Sequence, residues 1–191
     1  MTEHPFAQYV RILGKGKSGS RSLTLEEARC AMTMLLNGEV EEVQLGAFLM
    51  LLRVKEESPE ELAGFVHAVR DSLTLPGLSV DLDWASYAGK RRQQAWYLLA
   101  ALALADSGVR TVMHGSAGHT AGRAYSEQLL RELGEPVVEE LSECATALKQ
   151  GNFCYLPLRL FCPGLQRMME MRQLFGLRSP VHSLARLINP F

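Results

Sequence analysis

Three cations in succession, Lys90-Arg91-Arg92, stand just ahead of an unbroken helix-forming run in this chain. The first turn of a helix carries partial positive charge, so basic side chains are unfavourable there unless an anion is present. The spacing points to an anionic partner, with a solvated basic turn as the plain alternative. Other candidates for chemistry fall short on their spacing. His114 and His119 are five apart, with no carboxylate or thiolate close by in sequence, whereas a tetrahedral zinc site wants three or four ligands. Ser116, Ser126 and His119 lack a nucleophile elbow, since Gly115, Gly118 and Gly122 do not match G-x-S-x-G. Gly16-Lys17-Ser18 ends like a phosphate-binding P-loop, but no glycine stands five before Gly16 and no strand precedes it. That leaves the Gly14–Ser20 stretch as either a flexible connection or a basic flap that touches phosphates.

The elements that would position these residues are legible from pattern. Gln93 to Asp106 is rich in Ala and Leu and predicts a helix, closed by Ser107-Gly108. Val109 to Met113 follows as a short β-branched strand that His114-Gly115 ends. A polar loop, a helix apolar all round and a strand predict an α/β unit, and in such units ligands sit in the loops at the strand ends. Upstream, Pro5 to Leu13 places Phe6, Tyr9, Val10 and Leu13 on one helical face. Thr24 with Glu27 makes a capping box for a second helix, which Asn37-Gly38 stops. Glu41 to Arg53 predicts a third helix burying Leu45, Phe48, Leu49 and Leu52. Ser58-Pro59-Glu60-Glu61 caps a fourth. Four short amphipathic helices make a small bundle. Val43, Ala47, Met50 and Leu51 on the other sides of the third helix predict a second buried face, which a homodimer or the second domain would cover. Leu75-Pro76-Gly77 marks the boundary, dividing the chain into a helical domain over 1–76 and an α/β domain over 77–191. Within the latter, helices are expected at Arg123–Leu133 and Ser142–Gln150, and a buried strand at Phe153–Leu156.

Charge is balanced overall, with 20 Lys and Arg against 21 Asp and Glu, so the chain as a whole is no polycation. The distribution is uneven. Arg11, Lys15, Lys17 and Arg21 face only Glu3 near the start, and Arg159, Arg167, Arg172, Arg178 and Arg186 face only Glu170 near the end. Such asymmetry builds a basic face on a neutral protein. Cys30, Cys144, Cys154 and Cys162 show no C-x-x-C spacing and read as reduced thiols of a cytoplasmic protein. No run approaches the ~20 apolar residues that cross a membrane, and no apolar signal region opens the chain.

Helix, strand and then His114-Gly115, with the helical segment Thr24–Ser72 upstream, resembles anthranilate phosphoribosyltransferase and its relatives in glycosyltransferase family three. The resemblance implies a mainly α fold with α/β: a small N-terminal helical bundle followed by a truncated parallel-sheet domain of the phosphoribosyltransferase-like type, lacking the family's last third. In the enzymes a Gly-Thr-Gly-Gly-Asp loop enters the helix, Asn-x-Ser-Thr lies in its first turn, and Lys-His-Gly-Asn-Arg follows the strand. Ser86-Tyr87-Ala88-Gly89-Lys90, Trp96-Tyr97-Leu98-Leu99 and Met113-His114-Gly115-Ser116-Ala117 stand at those places here. By position Arg172 matches the family's aromatic-acid-binding arginine, with Cys162-Pro163 in place of the preceding His-Pro. A branch of the family with just such an A-G-K-R-R loop is associated with nucleic-acid binding.

Two functions follow as expectations. The first is non-catalytic, largely sequence-independent binding of nucleic acid, with Lys15, Lys17, Arg21, Lys90, Arg91, Arg92, His114, Arg123, Arg167 and Arg172 on phosphates, and with no cofactor and no metal. The second is phosphoribosyl transfer, or a fragment of such an enzyme, with magnesium and phosphoribosyl pyrophosphate. The resemblance also implies a homodimer through the N-terminal helices.

Overall fold

The computed structural model describes residues 2–118 and 120–191, and His119 lies outside the described residues. The chain forms two compact units, one of Met1–Ser72 with Arg167–Ile188, the other of Leu73–Gln166 with Asn189–Phe191.

The first unit is the helical bundle, built on α1 (Ala7–Gly14), α2 (Leu25–Leu36), α3 (Glu42–Lys55) and α4 (Pro59–Ser72), with short α10 (Arg172–Phe175) and α11 (Val181–Leu184) later in the chain. Both capping boxes form. Thr24 accepts from the Glu27 amide while Glu27 reaches back to the Thr24 amide, and Ser58 and Glu61 do the same at α4. Each satisfies two orphan donors of a first turn. The core is held by aromatic edges. Phe6 lies 5.2 Å from Phe48, and Phe48 lies 6.2 Å from Phe65, linking α1, α3 and α4 by T-shaped contacts worth ~1 kcal/mol each beyond their burial. Glu61 is fully buried, yet its carboxylate accepts from the Leu23 amide at 2.8 Å, the Ser58 amide at 2.7 Å and Lys55 Nζ at 2.9 Å. Those partners make a buried charge tolerable.

Helices α2 and α4 cross where Gly64 has no side chain. A Cβ there would lie 2.3 Å from the Leu25 carbonyl oxygen and 2.8 Å from Ala28 Cβ. On α3, the expected second face is open in part: Val43 is 78 % exposed and Ala47 is exposed, whereas Met50 and Leu51 are half-buried.

The second unit is α/β. Strands β1 (Leu82–Ser86), β2 (Thr111–Gly115) and β3 (Phe153–Pro157) form a parallel sheet in that order, with Trp84 opposite Met113 and Met113 opposite Tyr155. Helices α5 (Trp96–Asp106), α6 (Ser126–Leu133), α7 (Cys144–Gly151), α8 (Leu158–Phe161) and α9 (Pro163–Glu170) complete the order, α9 ending beyond this unit's residues. Met113, Phe153 and Tyr155 bury one sheet face against Leu98, Ala101 and Ala105 of α5 and Leu130 of α6. Strand alternation turns Asp83, His114 and Cys154 to the other face.

Residues 167–188, expected in the α/β domain, fall in the helical unit, and three of the element boundaries that differ from expectation bear on the strand ends. β2 runs two residues later than Val109–Met113, so His114-Gly115 lies inside the strand rather than after it. α5 begins at Trp96, not Gln93, and α6 at Ser126, not Arg123. One cause covers the second and third: Lys90 and Ala124 exchange backbone hydrogen bonds of 2.8 and 2.9 Å, which holds 90 and 124 extended and delays both helices. β1 has no counterpart in the sequence reading. Among the described residues no helix is long and apolar enough to cross a membrane.

Two outcomes follow for the bundle. Gly64→Ala should lower unfolding free energy by about 2 kcal/mol or more, because backbone rather than a movable side chain opposes the new methyl; urea unfolding reads it. The bidentate Arg21 guanidinium, at 2.6 and 2.7 Å, and the Thr24 amide hold the Glu27 carboxyl at about 2, below the usual carboxylate range. A depressed carboxylate contributes stability that is complete above the unfolded value near ~4.3 and is lost as pH falls through the folded one. In acid titration followed by circular dichroism, the stability gap between wild type and Glu27→Gln should therefore be full above about pH 4.5 and close between about pH 4.5 and 2, with the variant flatter there.

Candidate phosphate-binding site

In an open parallel sheet, ligands meet the protein at the carboxyl ends of the strands. Here those ends are Ser86, Gly115 and Pro157. Gly115 is required by close approach: a Cβ would stand 2.2 Å from the Ser86 carbonyl oxygen and 2.5 Å from the Tyr155 hydroxyl. Around it, hydroxyls gather. Ser86 Oγ and Ser126 Oγ are hydrogen-bonded, and the Tyr97 hydroxyl lies 2.7 Å from Ser126 Oγ, joining β1, the first turn of α5 and the first turn of α6.

On the opposite face a buried chain runs Asp83, His114, Tyr87. His114 Nε2 lies 2.8 Å from Asp83 Oδ1, and His114 Nδ1 lies 2.8 Å from the Tyr87 hydroxyl. A carboxylate only accepts, so Nε2 carries the proton toward Asp83. Burial pushes the Tyr87 phenol well above its usual range, and the protonated hydroxyl donates to Nδ1. The edge of Phe161, 5.8 Å away by centroids, closes the other side of the ring. Asp83 Oδ2 accepts from the Phe191 amide at 3.1 Å.

Tyr87 anchors the cationic loop. Beyond it Gly89 lies so close to Tyr125 that a Cβ would be 2.7 Å from the ring, and Arg123 Nη1 donates to the Gly89 carbonyl at 2.8 Å. Lys90 Nζ sits 5.2 Å from the Tyr97 ring centroid, a cation–π contact. Arg91 and Arg92 are exposed, and among the described residues neither forms an ion pair.

The candidate residues separate accordingly. The loop brings Lys90 and Arg123 together, with Arg91 and Arg92 beside Lys90. His114 does not join them. It is wholly buried with both ring nitrogens engaged, so it presents no group to a phosphate and instead positions Tyr87. Lys15 and Lys17 are exposed after α1, Arg21 is committed to Glu27, Arg167 pairs with Glu42, and Arg172 is half-buried at the start of α10. Those five belong to the helical unit. Asp83 has no mark in its own sequence neighbourhood, and the spacing of Tyr97 and Ser126 gives no sign that they meet Ser86, because these residues come together only through the fold. No group of three or more His, Cys, Asp or Glu able to hold a metal exists among the described residues.

Comparison with known proteins places this architecture. Residues 7–73 match the model for the glycosyl transferase family, helical bundle domain. YbiB of Escherichia coli K12, an uncharacterized protein, is 30 % identical over 190 residues, covering 97 % of this chain and 59 % of that protein. The crystal structure of anthranilate phosphoribosyltransferase from Thermus thermophilus superposes with a TM-score of 0.79 at 26 % identity, covering 98 % of this chain and 55 % of that one. Along nearly its whole length the chain is thus similar to anthranilate phosphoribosyltransferase-like members of glycosyltransferase family three, and residues 7–73 carry that family's helical bundle domain. A Saccharomyces cerevisiae enzyme of that name, in complex with PRPP and Mg, shares the fold with a TM-score of 0.77 at 20 % identity, covering 99 % of this chain and 56 % of that one. The chain spans about half the length of the curated relatives it matches.

Removing the Tyr87 hydroxyl should loosen the loop without opening the sheet. Tyr87→Phe leaves His114 Nδ1 buried without its donor, a loss of about 1–3 kcal/mol. Hydrogen exchange should quicken at the Lys90 and Ala124 amides more than in β2 or β3.

Proposed function

We propose that the strand-end site takes phosphoribosyl pyrophosphate, accompanied by magnesium, and that any reaction of this chain is phosphoribosyl transfer. The observation that carries this reading is similarity to an anthranilate phosphoribosyltransferase along nearly the whole chain, strand ends included. The chemistry of the loop is compatible with the phosphates: Lys90 and Arg123 stand at the strand ends, and Arg91 and Arg92 have no anionic partner among the described residues. Magnesium itself fits the described side chains poorly. Asp83, the carboxylate of β1, has both oxygens occupied, and there is no three-donor cluster among the described residues. The ion would therefore enter on the diphosphate, which magnesium favours with few protein ligands. Calorimetric titration with phosphoribosyl pyrophosphate should give one site per chain, weakened at least tenfold by EDTA and by Arg91→Ala with Arg92→Ala. No heat with magnesium present would sink the reading.

A second reading, nucleic-acid binding, is favoured by a specific observation: three successive cations are displayed on a loop whose inner side Tyr87 fills, where a snug amide cradle would need small residues. Phosphate-backbone binding is largely sequence-independent, and log affinity falls with log salt by about 0.9 per neutralised phosphate on duplex and about 0.7 on single strands. Filter binding should show that slope and lose one to three phosphates' worth of it when Lys90, Arg91 and Arg92 are replaced together by Ala. Affinity that ignores salt argues against it, whatever the calorimetry gives.

The exposed apolar side chains of α3 support a homodimer through the helical unit. Val43→Glu should then convert a sedimenting dimer into a monomer.

A further inference from the structure

Trp96 is 69 % exposed at the first position of α5, although an indole is among the side chains that gain most from burial. It forms one wall of an apolar groove of about 260 Å³ that continues over Leu99, Leu129 and Leu133, with Gln94 and Glu132 at its rim. Leu99 and Leu133 are themselves 50 % and 56 % exposed. The volume is below the ~300–1,000 Å³ of sites that enclose a drug-sized ligand, so it suits one flat ring rather than a whole small molecule. Arg92 precedes Trp96 by four residues and therefore lies within about 14 Å of it along the chain. Apolar stacking surface and unpaired cations thus adjoin on one short segment.

We propose that this groove receives an unstacked base of single-stranded nucleic acid, whose backbone phosphates lie on Arg91 and Arg92. The inference rests on the nucleic-acid reading above and makes it specific as to strandedness. Charge complementarity selects the occupant: the cations demand an anion, the indole and leucines demand a flat apolar face, and single strands offer both in every residue. In a duplex the bases are stacked on one another and paired, and only the phosphates remain to be met. Glu132, already accepting from Gln128 at 2.9 Å, bounds the groove on the side where a phosphate would be repelled.

The test compares a mixed-sequence deoxyoligonucleotide with the same sequence annealed to its complement, at low and moderate salt, using the full chain. Base–aromatic stacking of ~1–3 kcal/mol predicts that Trp96→Ala weakens single-strand binding roughly 5- to 150-fold while changing duplex binding less than twofold. Trp96→Phe should restore part of the loss. Because slopes count phosphates, the salt dependence should be the same in wild type and Trp96→Ala. Indole emission should be quenched by the single strand, and the quenching should vanish in Trp96→Phe, which leaves Trp84 as the remaining tryptophan. Equal losses on both forms, or no loss on either, overturn the base site while leaving phosphate binding standing. A Trp96→Ala change that instead dissociates an oligomer in sedimentation assigns the groove to a second copy and overturns it too. Failure of both nucleic acids to bind at low salt removes this inference together with the reading beneath it. Trp96 is exposed, so the variants should keep the wild-type melting profile, and that profile is the control for folding.

Discussion

A carboxylate at the edge of an apolar sheet face sets the terms for the α/β unit. Asp83 has 8 % of its side chain exposed, and an ion so placed is tolerable only with partners on its oxygens. One oxygen is met by His114, and the imidazole, wholly buried, then needs a partner for its second nitrogen. Tyr87 supplies it, and by doing so pins the chain that leaves β1. From that pin the loop has little choice. Gly89 presses on Tyr125, Lys90 pairs with Ala124, and the two arginines that follow are left pointing into solvent. A display of cations at the surface is in this way the outcome of a polar chain in the interior. Hydrogen bonds to a charged group are worth ~1.5–3 kcal/mol each, comparable with the burial of a large apolar side chain.

The basic residues divide by what faces them. Arg29 holds Asp71, Arg21 holds Glu27, Arg110 holds Asp81, and Arg131 with Arg159 shares Glu127 and Glu139 in a four-membered network. The exposed pairs among them add only tenths of a kcal/mol each, Glu127 being buried, and the larger effect of the pairing is to remove those cations from the field an outside anion would feel. Arg91 and Arg92 escape that cancellation, as do Lys15 and Lys17 on the turn after α1, which have no ion pair among the described residues. Balanced composition therefore coexists with local positive potential, the asymmetry being produced by pairing rather than by counts.

Much of this was legible in the sequence, where the information is local. Thr24 with Glu27, Ser58 with Glu61, and Asn37-Gly38 at the end of α2 are short-range signals, and each element they announce is present. β3 was legible as a compact apolar run. β1 was not: Leu-Asp-Trp-Ala-Ser carries an aspartate and a serine at places whose polarity makes sense only once His114 and Ser126 stand opposite. The delayed starts of α5 and α6 have the same origin, since the Lys90–Ala124 pairing joins residues far apart in the chain. Site reading failed in like manner. Histidine on a strand end resembles a phosphate contact until the partners of both nitrogens are known, and Arg21 or Arg167 looks available until Glu27 or Glu42 is placed beside it. The three successive cations needed no such context, because neighbours in sequence stay neighbours in space.

The seat at Gly115 is tight. With a carbonyl oxygen of the adjoining strand and a phenol from the other side both within 2.5 Å of where a methyl would be, no residue but glycine can stand there without moving the sheet. The loops that follow β1 and β2 end in solvent and can change shape without cost to the sheet, whereas any side chain at 115 would have to displace strand backbone.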